Sequence, residues 1–266
     1  MLFDLEPLAK RFVESYLKHP PGFTHRTVVV SQNARPTKEY KALFASLPNV
    51  KYFNYDNSGW DIGAFIELSK TMNDDLAVYF GSSASVMREG WLARMVEAWQ
   101  KHGQGFYGSL ATYEISPHIN TSGFWCPPKL MAAYPIKVVT KRQRYDFEHG
   151  RNAMWKMVHE SGLKVLLVTW DGEYVWQEWR KPLNIYRRGD QSNCLTSFRL
   201  SHYYSDSGQP QKRLQESQAN TPTCPIYIRL RRQYLEPGRV RPHTHAEIND
   251  MEEFYEKRFN YIHKFA

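Results

Sequence analysis

Two carboxylates, two glycines and a tryptophan crowd the turn Asp56-Asn57-Ser58-Gly59-Trp60-Asp61-Ile62-Gly63. Asp61 is suited to accept a hydrogen bond from a hydroxyl or a nucleobase. The glycines permit close backbone approach, and the helix expected to follow offers unpaired N–H groups. The plainer role for Asp61 is to cap that helix. Gly81-Ser82-Ser83-Ala84-Ser85 offers hydroxyls and amides without a carboxylate, which suits phosphate oxygens or a simple connector. Asp146-Phe147-Glu148-His149 reads as the opening of a helix capped by Asp146, with Glu148 and His149 one turn in. Glu148 is the candidate base for deprotonating a hydroxyl, and an acid serving only the helix dipole is the alternative.

His118, Asn120, Thr121 and Ser122 precede Gly123-Phe124-Trp125, which places hydrogen-bonding groups for sugar hydroxyls beside two aromatic faces. Aromatics of that size also commonly belong to the core. Trp170-Asp171-Gly172-Glu173 and, further on, Arg187-Arg188-Gly189-Asp190 add acids and a pair of arginines suited to a diphosphate, or else a solvated surface pair. His243-Thr244-His245 with Glu247 has weak metal-ligand spacing and is read as ordinary surface histidines, so no metal ligand is assigned. No Walker A loop, GxGxxG, GxSxG, HExxH or zinc-finger spacing occurs.

These segments need a scaffold, and the hydrophobic pattern predicts one. Residues 4–18 have helical spacing. A β-branched run at 27–31, a helix over 38–47 and a strand over 50–55 follow in β-α-β order. A helix over 61–72, a strand at 76–80, a helix over 91–102 and a strand at 105–110 continue the alternation. A helix after Pro127-Pro128, a helix over 147–161 closed by Gly162, and the apolar strand 164–169 complete it. The fold class expected is α/β, a sheet flanked by helices, whose ligands sit beyond the carboxyl ends of the strands. Residues 205–225 are polar and linker-like. Residues 226–230 suit one more strand, and 246–265 carry Ile248, Met251, Tyr255, Phe259 and Ile262 at the spacing of an amphipathic closing helix.

With 266 residues, 42% of them hydrophobic, the chain buries a full core, and its three far-spaced cysteines suggest neither a disulfide framework nor a zinc site. No apolar run is long enough to span a membrane, and the start lacks signal-peptide character, so a cytoplasmic protein is expected. Of the net charge of +8, +5 lies between Gln209 and His245, where seven basic residues face two acids. That stretch favours phosphate-bearing partners and possible peripheral attachment to a membrane, without a specific nucleic acid.

The turn NSGWDIGAF resembles the Asn-x-Gly-x-Asp-Ile-Gly-Ala signature of bacterial GT-A-fold glycosyltransferases, notably the rhamnan-synthesis and related polysaccharide-assembly enzymes. VYFGSSASV, PHINTSGFW and FEHGRNAMWKMVHESGLKV align in order with further segments of that family, from about residue 5 to 204. The resemblance implies a GT-A-like domain over 1–204, a linker over 205–225 and a basic extension over 226–266. It implies sugar transfer from a nucleotide-sugar donor to a glycan, lipid-linked or small acceptor. Asp56, Trp60, Asp61, Gly63, Gly81, Ser82, Ser83, Ser85, Arg187 and Arg188 would address the donor. His118, Asn120, Thr121, Trp125, Trp170, Asp171 and Asp190 would address the acceptor or sugar, and Glu148 with His149 the chemistry. The chain departs from the family in having no Asp-x-Asp to hold Mn²⁺ or Mg²⁺, so no divalent cofactor is assigned. A non-catalytic glycan- or polyanion-binding module on the same scaffold is the alternative.

Overall fold

The structure is a computed structural model that describes residues 6–32, 36–56, 58–114 and 116–220. The strand and closing helix expected at 226–230 and 246–265, and the arginines between 229 and 241, lie outside the described residues. In chain order the elements are α1 (Glu6–Lys18), β1 (Val28–Gln32), α2 (Lys38–Phe44), β2 (Lys51–Tyr55), α3 (Trp60–Ser69), β3 (Ala77–Phe80), β4 (Ser85–Val86), α4 (Trp91–His102), β5 (Gly105–Gly108), β6 (Ala111–Thr112), β7 (His118–Ile119), β8 (Gly123–Cys126), α5 (Pro128–Ala132), α6 (Lys141–His149), α7 (Met154–Glu160), β9 (Lys164–Val168), β10 (Glu173–Val175), β11 (Thr196–Ser197), α8 (Arg199–Asp206) and α9 (Gln209–Asn220). No described helix is long and apolar enough to cross a membrane.

The fold is α/β with a mixed sheet flanked by helices. Five strands run in the order β10-β9-β5-β8-β3, with β5 and β9 parallel and the other neighbours antiparallel. β1 and β2 form a separate parallel pair, bridged in sequence by α2. The continuous apolar runs of the strands are explained by burial on both faces. Phe106, Phe124, Val165 and Leu167 join one core with residues of α3, α5, α6 and α7. Their neighbours Tyr107, Trp125, Leu166 and Val168 join a second core with residues of α1, α2 and α4. The period of two thus divides adjacent residues between two cores.

Two expected elements differ. The helix expected over 147–161 is two helices, α6 and α7, interrupted at Gly150, and α6 begins at Lys141 rather than at Asp146. Thr140 and Gln143 form a reciprocal capping box, Gln143 N to Thr140 Oγ1 at 3.2 Å and Thr140 N to Gln143 Oε1 at 3.0 Å. That box fixes the start one and a half turns earlier. Asp146 therefore lies inside the helix, and Glu148 and His149 stand in its last turn. The segment expected to be a linker is helical over Gln209–Asn220, where the Ala219 carbonyl accepts from Tyr113 N at 2.7 Å and Thr112 Oγ1 at 3.1 Å.

The register pairs Phe80 with Gly123, and Gly108 with both Phe124 and Leu167. The carboxyl ends of β3, β5 and β9 therefore lie together with the start of β8. Gly81 N donates to Ser122 O at 3.1 Å, and Trp170 N to Asn193 O at 3.2 Å, which draws four loops to this one end of the sheet.

Candidate functional site

The turn 56–63 enters α3 through Gly59, which occupies the left-handed region at φ 76. A β-carbon on Gly59 would lie 1.8 Å from the Val138 carbonyl oxygen, and one on Gly63 would lie 2.3 Å from Ser58 O and 2.8 Å from Val138 O. The close backbone approach these glycines permit is made here by the protein's own chain, at Val138 and Ser58. Asp56 closes the preceding turn, accepting from Ser58 N at 2.9 Å and Ser58 Oγ at 2.6 Å, bonds that hold its carboxyl below the usual range. Trp60 carries an unusual positive φ of 53 and is 39% exposed. Asp61 is not the N-cap. Its carboxylate accepts Arg144 Nε at 2.7 Å and Nη2 at 3.1 Å.

Arg144 comes from α6, one turn before Glu148. Its Nη1 lies 3.5 Å from Glu148 Oε2, and its Nη2 donates to Thr121 Oγ1 at 3.3 Å. Thr121 in turn donates to Glu148 Oε1 twice, from N and from Oγ1, each at 3.0 Å. Burial would push the Glu148 carboxyl up, but Arg144, then the His118 and His149 rings and the Thr121 amide, outweigh burial and hold it down at about 2. His149 Nδ1 sits 3.9 Å from Glu148 Oε2, with no hydrogen-bond partner among the described residues. Burial, helped by the neighbouring His118 ring, pushes His149 down to about 3. Burial also lowers His118, whose Nδ1 lies 2.7 Å from Ser116 O. With both rings neutral at pH 7, Glu148 is held as an anion between Arg144 and Thr121, with the neutral His149 ring beside it.

The expected diphosphate arginines are otherwise engaged. Arg187 is only 3% exposed, and its Nη1 donates to Glu114 Oε2 at 2.6 Å. Arg188 Nη1 donates to the carbonyls of Arg180 and Pro182. Trp125 is 0% exposed and stacks on Tyr107 with centroids 5.8 Å apart, so it is core and offers no free face to a sugar. Ser85 is buried in β4, whereas Ser82 is exposed beyond β3. Asn120 Oδ1 accepts from Ser122 N at 2.8 Å, shaping the turn into β8.

A second group gathers after β9. Trp170 donates Nε1 to Cys194 O at 3.1 Å, and Arg88 lies over its ring, 4.5 Å from the centroid. Asp171 accepts from Thr169 Oγ1 at 2.5 Å and Tyr174 OH at 3.2 Å. Burial would raise the Asp171 carboxyl, but these bonds lower it. Asp190 accepts from Ser192 N and Oγ and shapes an exposed turn.

Asp61, Thr121, Glu148 and His149 therefore meet, with His118 beside His149. Trp170 and Asp171 form a separate cluster, and Asp56 and Asp190 belong to exposed turns. Arg144, which links the first cluster, and Arg88, which covers Trp170, were missed from sequence. The i,i+4 spacing of Arg144 and Glu148 was the available signal for one of them. No group of three or more histidine, cysteine, aspartate or glutamate side chains that could hold a metal ion occurs among the described residues.

No family model and no curated protein matches the chain. Among solved structures it is similar to the crystal structure of HddC from Yersinia pseudotuberculosis, at 9% identity and a TM-score of 0.35, over 47% of this chain and 65% of that one. The chain thus spans less than two thirds of the length of that protein, with 65% covered.

Proposed function

We propose that the chain is a GT-A-like glycosyltransferase that moves a sugar from a nucleotide-sugar donor to a glycan, lipid-linked or small acceptor. The observation that carries this reading is the meeting of Asp61, Thr121 and Glu148 through the single side chain of Arg144. Three of the four segments that resemble the family supply those residues, and they come from distant parts of the sequence. In this reading His149, neutral and facing the Glu148 carboxylate, takes the acceptor's proton. Glu148 stabilises the imidazolium that forms, as a carboxylate beside a histidine base does. The arginines between 229 and 241 would add peripheral attachment to an anionic membrane.

Thermal unfolding in the presence of UDP, GDP, CMP and dTDP sugars tests the proposal, because a ligand that binds only the folded state raises its stability. One donor class should shift the transition and support turnover. No shift with any of the four would overturn the reading. A second reading, a non-catalytic glycan-binding module, is favoured by the engagement of both Glu148 oxygens by neighbouring groups. It predicts glycan binding without donor consumption.

A further inference from the structure

We infer that Arg88 holds the diphosphate of the donor, in an anion site formed with the face of Trp170. This rests on the nucleotide-sugar reading proposed above. Of the arginines around the carboxyl end of the sheet, Arg94 is occupied by the Thr169 carbonyl at 3.0 Å and by Glu173 at 2.6 Å, and three more are occupied likewise. Arg144 is bound to Asp61 and Glu148, Arg187 is buried against Glu114, and Arg188 is spent on two carbonyls. Arg88 lies two residues beyond the end of β4, is exposed, and pairs with no carboxylate among the described residues.

Its position is nevertheless fixed. One face of the guanidinium lies 4.5 Å from the centroid of Trp170, and Nη2 donates to Ser192 O at 3.3 Å. The ring beneath it is held at two points, by Trp170 N to Asn193 O at 3.2 Å and by Nε1 to Cys194 O at 3.1 Å. A guanidinium is planar and always charged, and stacking uses one face while leaving its in-plane donors for other partners. One donor is taken by Ser192, and the rest of the fork suits the paired oxygens of a phosphate. Because the side chain is already ordered, little rotamer entropy is lost when an anion binds. Asp171, the acid of this cluster, accepts from Thr169 and Tyr174. Arg88 thus joins the segment between β4 and α4 to the loop after β9, and ligands of open α/β sheets bind beyond the carboxyl ends of such strands.

Titration calorimetry of the full chain with uridine, UMP and UDP, with the guanosine and thymidine series and inorganic pyrophosphate alongside, tests the inference. Wild type should bind one nucleoside diphosphate more tightly than its monophosphate. Arg88→Ala should weaken the diphosphate by about 10- to 100-fold, as the loss of charge-assisted hydrogen bonds implies. It should leave the nucleoside unchanged, and Arg88→Lys should recover only part of the loss. Thermal unfolding without ligand should be unaltered, since the side chain is exposed. An Arg88→Ala protein with the same ratio of diphosphate to monophosphate affinity as wild type would sink the inference while leaving the proposed function standing. Pyrophosphate binding that needs Arg88, without binding of any nucleotide, would uphold the anion site and sink the nucleotide-sugar reading. Wild type that binds neither nucleotide nor pyrophosphate would remove both.

Discussion

Arg144 clasps Asp61 through two hydrogen bonds, Nε to Oδ1 at 2.7 Å and Nη2 to Oδ2 at 3.1 Å, and so ties the first half of α6 to the first turn of α3. The same guanidinium lies 3.5 Å from the buried Glu148 carboxylate. Two acids thus share one cation, and each depends on it for charge balance. Removing the cation while keeping its length, as in Arg144→Met, leaves a buried carboxylate unpaired. Loss of one partner from such a pair costs about 3–5 kcal/mol. Urea unfolding should show a loss near the lower end of that range, because Arg144 and Asp61 are about a quarter exposed, at 23% and 25%. Arg144→Lys should recover part of it, since an ammonium restores the charge but not the two-point contact. A loss below about 1 kcal/mol for Arg144→Met would mean that the cluster is not held by this ion pair.

The glycines of the turn offer a sharper contrast. Gly59 and Gly90 both precede a helix in the left-handed region, at φ 76 and φ 80. A β-carbon on Gly90 would meet nothing within 4 Å, whereas on Gly59 it would strike Val138 O at 1.8 Å. Gly90→Ala should therefore cost only the backbone penalty of about 1–2 kcal/mol. Gly59→Ala should cost that plus an overpacking loss of about 1–3 kcal/mol. Equal midpoints for the two variants in chemical denaturation would refute the close contact at Val138.

The alternation of strands and helices was legible because a strand buried on both faces writes itself as an unbroken apolar run, as in residues 165–168. The identity of the covering partners was not legible. Trp60 and Trp125 are equally apolar in sequence, yet one is 39% exposed and the other is fully buried between strands and helices. The start of α6 was missed because Asp146 is a good cap by type, whereas the reciprocal bonds of Thr140 and Gln143 depend on spacing as well. Arg187 and Arg188 looked alike as neighbours. Their separate fates follow from Glu114 in one case and from the carbonyls of Arg180 and Pro182 in the other, which are set by tertiary structure alone.

Acid should unfold the protein in two overlapping stages. His149 is lowered to about 3 from its ordinary 6.5, so below pH 6.5 the unfolded chain binds a proton that the folded chain refuses. Stability is then lost as pH falls from about 6.5 toward 3, and His118, also lowered, acts in the same direction. Glu148 is lowered to about 2 from 4.5, so its contribution is complete above pH 4.5 and disappears as pH falls through about 2. Unfolding free energy measured against pH should be level above about pH 7 and decline below it, by up to about 1.4 kcal/mol per pH unit for each group. His149→Gln should flatten the decline between pH 6.5 and 3. An unchanged slope in that variant would show that another group sets it.

The proposed proton acceptor makes its own prediction about rate. His149→Asn should lower kcat by about a hundredfold or more, in line with the loss of a general base. KM for the donor should stay within about twofold of wild type, because the ring is asked to act on the acceptor rather than to hold the donor. The pH profile separates this role from a structural one. A base whose ring is held down at about 3 is already neutral throughout the moderately acid range. Initial rates taken before any unfolding should therefore show no acid limb between pH 6 and 7, where an ordinary histidine would titrate. Glu148→Gln should bring a smaller fall in kcat, since it removes the anion that stabilises the protonated ring but leaves the ring itself. If kcat instead falls with an apparent pKa near 6.5, or survives His149→Asn unchanged, His149 is not the group that receives the proton.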